Sequence, residues 1–260
     1  MELFHRFLKE AHKHIMSLTF YFQGEPFIHP RLLEMISMAH QLNIYTIVST
    51  NAHFLDPATC QKIIDSGLDR VIISLDGINQ ETYQKYRIGG QVDKVIQGIE
   101  NLVEAKRIRK SSSPYLILQT IVFKHNEQEL GEIKLAAEKW GVDHLEFKTA
   151  QIYDYQQKSN LIPEQALYAR YGLNDQGEWS IKNKLQNHCW RMWQGCVISW
   201  DGRVVPCCFD KDAKYQFGQI GDEKLSTIWR NKAYQNFRHA VLQNRKSIDI
   251  CTNCTEGGFT

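Results

Sequence analysis

The feature that most constrains the fold is the spacing of the cysteines in the last third of the chain. Of the 7 cysteines, all except Cys60 lie at or after position 189. A Cys-x-x-Cys pair, Cys251 with Cys254, lets two sulfur atoms reach one metal centre from a single tight turn. Further sulfur ligands must come from elsewhere, and the candidates are Cys189 together with either Cys207 or Cys208.

Cysteines also have roles other than metal binding. Cys60 lies in a helical stretch near Ile63 and fits a small buried hydrophobic side chain, and Cys196 before an apolar run favours the same role. A disulfide framework is disfavoured, because nothing resembles a secretory signal and the chain is long enough to bury a full core. Local spacing alone leaves a zinc ribbon and an iron–sulfur cluster equally open.

Composition limits the classes of partner. The formal net charge is +2, which indicates neither a nucleic-acid partner nor an anionic membrane surface. No apolar run is long enough to span a bilayer. Cysteines without a signal sequence predict a reducing, cytoplasmic location.

Apolar runs and helical stripes alternate along the first 150 residues, which predicts an α/β fold with a parallel sheet covered by helices. Asp56 and Pro57 begin one helix and Gly67 ends it, while Asn126 with Glu129 is typical of a capping box. The sequence has too few strand–helix units for a full barrel, so the sheet is expected to curve without closing. The predicted strands lie near residues 18–22, 44–49, 71–75, 115–122 and 144–148.

Polar sequences follow three of these strands, at Gln23–Pro26, Thr50–Ala52 and Ser74–Gly77. The carboxyl ends of parallel strands meet at one edge of a sheet, where ligands bind in such folds. Three polar strand ends on that edge therefore predict a ligand site. His125, after the next strand, is expected to be a structural loop residue.

Taken together, these motifs resemble the radical S-adenosylmethionine (SAM) superfamily with a C-terminal SPASM-type auxiliary-cluster domain. The resemblance implies a partial (β/α)6 barrel and an auxiliary 4Fe–4S cluster, and it favours iron–sulfur over zinc. It also implies a barrel region at 1–150, a connecting segment at 151–188 and a SPASM-type domain at 189–260. The motifs are Gly24-Glu-Pro26, Ser49-Thr-Asn51, Ile73-Ser-Leu-Asp-Gly77 with Arg87, and Cys189, Gly202, Cys207, Cys251 and Cys254.

The resemblance assigns roles to individual residues. Gly24 and Glu25 match the turn that holds the amino group of SAM, where a carboxylate suits an ammonium group. Ser74 and Arg87 match positions that contact its ribose and carboxylate, and Asn51 contributes from the adjacent strand end. The spacing from Gly202 selects Cys207 over Cys208 as the cluster ligand, in agreement with the opposite directions of adjacent side chains on a strand.

One departure from the family is that the sequence lacks the C-x3-C-x2-C motif that holds the SAM-cleaving cluster. The first strand and its loop are also expected to be missing, as in an N-terminal truncation, a start at an internal Met, or a degenerate relative. Without the three cysteine ligands of that motif, the chain is expected not to perform radical chemistry. The missing strand would also leave the strand near residues 19–22 exposed at a sheet edge.

By resemblance, the parent activity is reductive cleavage of SAM and radical modification of a substrate, a peptide or protein in many relatives. A flavodoxin or ferredoxin would donate electrons. Two other functions remain open from the sequence: a non-catalytic iron–sulfur electron carrier or binding protein, and a zinc-stabilised structural domain.

Overall fold

A computed structural model describes residues 1–257, and it divides the chain into two compact units. One unit comprises residues 16–180, and the other joins residues 1–15 to the region from 181 onward. The helices are α1 Glu2–Ala11, α2 Leu32–Gln41, α3 Pro57–Asp65, α4 Gln80–Gln84, α5 Val92–Arg109, α6 Leu130–Trp140, α7 Arg191–Gln194, α8 Leu225–Arg230 and α9 Lys232–Asn244. The strands are β1 Ser17–Thr19, β2 Tyr45–Thr50, β3 Arg70–Ser74, β4 Tyr115–Val122, β5 His144–Thr149, β6 Tyr171–Leu173, β7 Trp179–Ile181, β8 Val197–Ile198, β9 Arg203–Val205 and β10 Gly218–Gln219.

A five-stranded parallel sheet forms the centre of the unit 16–180, in the order β1-β2-β3-β4-β5. The fold class predicted from the sequence is confirmed, and all five predicted strands are parallel and adjacent. The order is linear, so β1 and β5 are the two edges of the sheet. β1 is shorter than predicted and ends at Thr19.

Apolar side chains on the central strands explain the core of this unit. Val48, Val71, Ile73 and Leu118 have no exposed surface, and they pack against helical side chains such as Ile99 within one cluster. Burial on this scale favours the sheet because each fully buried aliphatic side chain contributes about 1.5–3 kcal/mol.

The strand register brings the carboxyl ends of β1, β2 and β3 to one edge. Thr50 pairs with Ile73, and Ser74 pairs with Gln119. The segment after β1 includes a short 3-10 helix, Pro26–Ile28, capped by the Glu25 side chain. The polar strand ends recognised in the sequence therefore share this edge.

The N-terminal cap predicted for α3 is confirmed, and the cap predicted for α6 is not. Asp56 caps α3 by accepting the N–H of Thr59 at 3.0 Å. The capping box predicted from Asn126 and Glu129 does not form. Buried Asn126 instead accepts the N–H of Phe123 and donates to the carbonyl oxygens of Asp76 and Ile121.

The segment predicted as a connection, residues 151–188, contains secondary structure of its own. β6 and β7 form a two-stranded sheet. The intervening turn is closed by Asn174, whose side-chain oxygen accepts the N–H groups of Gln176 and Glu178. The ranges 1–150, 151–188 and 189–260 remain predictions of the family domain limits.

The other unit holds a small antiparallel sheet in the order β10-β9-β8 and the helices α7 to α9. Helix α1 packs on α8 in this unit, where Arg6 donates to the carbonyl of Gly221 at 2.8 Å. The predicted range 1–150 groups α1 with the sheet. The hydrogen bond to Gly221 and the packing on α8 instead join α1 to the unit that begins again at residue 181. None of the helices described is both long enough and apolar enough to cross a membrane.

Candidate metal centre and ligand pocket

Five cysteines line one small pocket in the unit that contains α7 to α9. Cys251 and Cys254 come from the segment after the 3-10 helix Arg245–Ser247, and the N–H of Cys254 bonds to the carbonyl of Cys251 at 3.1 Å. No cysteine among residues 1–257 is in a disulfide. The lining sulfurs belong to Cys189, Cys207, Cys208, Cys251 and Cys254.

A short hairpin positions Cys207. β8 and β9 are joined by a turn in which the N–H of Gly202 donates to the carbonyl of Ser199 at 2.9 Å. Gly202 has φ +88, and a Cβ atom there would lie 3.0 Å from the carbonyl oxygen of Ile220. This geometry requires glycine, which explains why it stands at a fixed distance before Cys207.

Gly257 lies directly against the side chain of Cys189. A Cβ atom on Gly257 would lie 2.4 Å from the Cys189 sulfur, and its φ is +78. The carbonyl of Gly257 also accepts the N–H of Trp190 at 3.2 Å. The end of the described chain therefore folds directly over the first cysteine, a contact that sequence reasoning missed.

The surroundings of the sulfur atoms distinguish Cys207 from Cys208. Burial raises the pKa of Cys207 to about 12, with additional contributions from Cys208, Cys254 and Cys251. Burial also raises the pKa of Cys208, but the residue is exposed at the surface and its charged neighbours include Arg191 and Glu256. Cys207 thus has the other sulfurs among its neighbours, whereas Cys208 lies at the exposed side of the pocket.

Cys60 and Cys196 lie outside this pocket. Cys60 is fully buried, donates to the carbonyl of Leu55 and has its pKa raised to about 12 by burial. Burial raises the pKa of Cys196 to about 11, and Arg238 opposes that rise. Both surroundings fit the packing roles predicted from the sequence.

A buried arginine reaches the cysteine pocket from the end of α9. Arg245 is 3% exposed and donates from Nη2 to the Cys254 sulfur at 3.3 Å. Its other bonds go to the carbonyl oxygens of His188 and Glu256, each at 2.7 Å. The backbone N–H of Glu256 gives the Cys254 sulfur a second donor at 3.3 Å.

The donor set fits an iron–sulfur cluster. Thiolates are the usual ligands of such clusters, and N–H groups directed at the sulfurs are among the features that tune them. Arg191 and Arg245 line the pocket with a single carboxylate, Glu256, so thiolates would balance a surplus of positive charge there. The free space is about 20 Å³, so a cluster requires the thiol side chains to rotate apart.

A single zinc ion would also require the thiol side chains to move. Within residues 1–257, no three His, Cys, Asp or Glu side chains are arranged to hold one metal ion. A tetrahedral zinc site needs its ligand atoms about 2.0–2.3 Å from one point.

The second candidate site lies at the carboxyl edge of the parallel sheet. Glu25 accepts the hydroxyl of Thr50 at 2.8 Å and the N–H of Asn51 at 2.7 Å. It also accepts the N–H of Phe27 at 3.1 Å. These bonds fix the carboxylate against the end of β2, next to Gly24 with φ +78.

A pocket of about 350 Å³ opens at the same edge, and Asn51, Tyr83 and Arg87 are among the residues that line it. Arg87 donates from Nε to the fully buried Asp76 at 2.6 Å. Burial opposes the charge of Arg87, but the Asp76 carboxylate outweighs this effect and raises the pKa of Arg87. The guanidinium is thus held charged at the pocket.

The remaining predicted residues of this edge occupy different places. Ser74 ends β3 level with the start of the Asn51 turn, and like Gly24 and Glu25 it does not line the pocket. His125 stacks on Phe123 with ring centroids 5.3 Å apart, and its Nε2 atom is buried without a partner. Burial lowers the pKa of His125, which fits the structural role predicted for it.

Comparisons with known proteins identify the family of this chain. The Radical SAM superfamily model matches residues 2–136, and the SPASM model, an iron–sulfur cluster-binding domain, matches residues 189–255. The chain belongs to the radical SAM superfamily and carries a SPASM-type domain. The family implies iron–sulfur clusters.

Individual relatives and structures agree with this assignment. A tungsten-containing aldehyde ferredoxin oxidoreductase cofactor-modifying protein of Pyrococcus furiosus is 24% identical, with 98% of this chain and 78% of that protein covered. A PqqA peptide cyclase of Gluconobacter oxydans is 25% identical, with 79% and 61% covered. The structure of Streptococcus suis SuiB bound to S-adenosylmethionine has a TM-score of 0.68 at 15% identity, with 99% and 65% covered, and it shows the shared fold.

Proposed function

We propose that this chain provides the SAM-binding edge and the auxiliary 4Fe–4S site of a radical SAM/SPASM protein that modifies a peptide or protein. The observation that carries the proposal is the pocket of five cysteines with a buried guanidinium directed at one of the sulfurs. Cys189, Cys207, Cys251 and Cys254 would hold the cluster. Cys208 lies at the exposed side of the pocket and would not be a ligand.

At the sheet edge, the residues would bind SAM by charge and shape. Glu25 is fixed by three hydrogen bonds and would accept the ammonium group of SAM. Arg87 would face its carboxylate with the nitrogen atoms that do not contact Asp76. Gly24, Asn51 and Ser74 would complete the site from neighbouring strand ends. When SAM is bound next to a reduced cluster, it supplies an organic radical that takes hydrogen from the substrate.

We further propose that these 260 residues alone do not cleave SAM, because they contain no C-x3-C-x2-C motif. The chain would then bind SAM and hold the auxiliary cluster without starting radical chemistry. The test is to incubate the reconstituted chain with SAM and dithionite. Formation of 5′-deoxyadenosine above the protein-free background would contradict this part of the proposal.

The peptide or protein substrate rests on the relative that is a PqqA peptide cyclase. The Pyrococcus furiosus relative modifies a cofactor instead, so a small-molecule substrate is the competing class. Short peptides encoded in the same genomic neighbourhood should bind the full chain in a fluorescence anisotropy titration. Saturable binding of a cofactor precursor and no binding of those peptides would favour the competing class. A flavodoxin or ferredoxin as electron donor and a cytoplasmic location belong to the same proposal.

The SAM site is tested by binding to the full chain, measured by isothermal titration calorimetry under anaerobic conditions. Glu25→Gln removes the charge and replaces one accepting oxygen by an NH2 group that cannot accept its backbone or hydroxyl donor, so SAM affinity should fall at least roughly ten- to hundredfold, the value of a charge-assisted hydrogen bond. Glu34→Gln is the matched control, because Glu34 pairs with Arg31 at an exposed position and is not among the residues assigned to the SAM site. A cluster-loaded chain that binds no SAM would favour the non-catalytic iron–sulfur protein instead.

A further inference from the structure

Arg245 is a buried cation that forms no ion pair with any carboxylate of residues 1–257. Its guanidinium donates to the carbonyl oxygens of His188 and Glu256 and to the Cys254 sulfur, and it also bonds to the Cys251 side chain. Only 3% of the residue is exposed, and Nε has no partner. The fold thus holds a full positive charge away from water, and the acceptors that the described residues offer it are two carbonyl oxygens and cysteine sulfurs.

Burial of an uncompensated guanidinium is strongly unfavourable, because the interior replaces little of the hydration that the ion loses. Two carbonyl dipoles offset part of this penalty. Among the described residues, the cysteine sulfurs are in hydrogen-bond contact with the guanidinium, and as thiolates they would supply the negative charge that remains to be provided. Four thiolates around an iron–sulfur cluster carry net negative charge at this position.

The other arginines of this region are neutralised in different ways. Arg191 pairs with the Glu256 carboxylate at 2.6 Å. Arg238 lies over the rings of Trp229 and Tyr234, with distances to their centroids of 4.2 and 3.9 Å. Unlike these two arginines, Arg245 has neither a carboxylate of residues 1–257 nor an aromatic ring as its partner, and it contacts a pocket sulfur.

We propose that Arg245 is a positioning residue that donates to the Cys254 thiolate and makes the reduction potential of the auxiliary cluster less negative. This inference rests on the proposed function, because it requires the cluster. One-electron reduction adds one negative charge at the cysteine pocket. A fixed cation in hydrogen-bond contact with a ligand sulfur stabilises that reduced state more than the oxidised one. Arg245 neither gains nor loses a proton, since a guanidinium stays protonated in proteins.

The test is a dithionite titration of the anaerobically reconstituted full chain, followed by electron paramagnetic resonance. Arg245→Met removes the charge and the donor, and Arg245→Lys keeps the charge. For Arg245→Met we expect at least a tenfold less favourable one-electron reduction, which corresponds to a potential about 59 mV more negative. Arg245→Lys should recover much of this shift. Arg238→Met removes a half-buried arginine that donates to the carbonyl oxygens of Met192 and Trp229, and it should leave the potential unchanged.

Each outcome decides the proposal. A folded Arg245→Met chain without cluster, together with an Arg245→Lys chain that keeps it, also supports the role of the charge. An Arg245→Met chain with full iron and sulfide and the original potential would overturn it. Loss of the cluster from both variants would assign Arg245 to framework contacts with His188 and Glu256 and would overturn the proposal as well. A wild-type chain that takes up no iron and sulfide would instead refute the proposed function itself.

Discussion

Gly257 is a position where one added methyl group should disturb the cysteine pocket. Its φ of +78 and the 2.4 Å approach to the Cys189 sulfur both exclude a side chain. Gly257→Ala should destabilise this unit by about 1–2 kcal/mol from backbone strain alone and should lower the iron content after reconstitution. Gly195→Ala is the control, because a Cβ atom there meets nothing within 4 Å. Equal iron content in both variants would show that the contact is unimportant.

The adjacent cysteines Cys207 and Cys208 should respond differently to substitution. Cys207 has the other sulfurs among its neighbours, and Cys208 lies at the exposed side of the pocket. Cys207→Ala should therefore lose the intact cluster, whereas Cys208→Ala should keep it. Iron and sulfide analysis after reconstitution measures both, with Cys60→Ala as the control for a buried cysteine outside the site. The reverse result would exchange the two assignments.

Sequence patterns predicted the candidate site residues themselves but not the residues that contact them. The cysteines are recognisable because metal ligands recur at short, characteristic spacings. Arg245 was missed because an arginine at the end of an amphipathic helix ordinarily points to solvent, and only the fold brings it to Cys254. Gly257 could have been noticed as a glycine that follows the Cys-x-x-Cys pair. The direct contact of Glu25 with Thr50 and Asn51 joins two strand ends, which periodicity alone does not reveal.

At the scale of elements, the parallel sheet was predictable because each central strand is a continuous apolar run bounded by turn residues. The β6–β7 pair was missed because its strands are only three residues long, although Asn174 and Gly177 are a turn signal. Asn126 resembled a helix cap. Its side chain instead forms hydrogen bonds with backbone groups of Asp76, Ile121 and Phe123. Tertiary hydrogen bonds thus override the local motif.

The cap of α3 offers a pH-dependent test of one element. The hydroxyl and N–H of Thr59 lower the pKa of Asp56, so the cap contributes above the unfolded-state pKa of about 4 and is lost as the pH falls through the lower folded value. Asp56→Ala should destabilise the protein by about 1 kcal/mol at pH 7. The difference from wild type should shrink as the pH drops below 4.

Urea denaturation followed by circular dichroism at both pH values measures this effect. Asp65→Ala, in the same helix, removes only an exposed pair with Arg109 and should change stability by less than about 0.5 kcal/mol. A pH-independent difference for Asp56→Ala would show that the carboxylate does not act as a cap.

At the scale of the whole molecule, cluster binding should stabilise one unit selectively. A ligand that binds only the folded state stabilises the elements that hold it. Removal of iron by a chelator should therefore speed hydrogen exchange in peptides from 189–257, while peptides from β2 to β5 should exchange at an unchanged rate. Mass spectrometry of both forms measures the effect. An equal increase in the sheet peptides would contradict this selectivity.

The central claim is that four of the pocket cysteines hold a 4Fe–4S cluster. The most direct measurement is the iron, sulfide and zinc content of the full chain after anaerobic reconstitution, compared with Cys251→Ala and Cys254→Ala. We predict about four irons and four sulfides per wild-type chain, and loss of the intact cluster in either variant. Stoichiometric zinc without sulfide, or an intact cluster that survives both substitutions, would contradict the account.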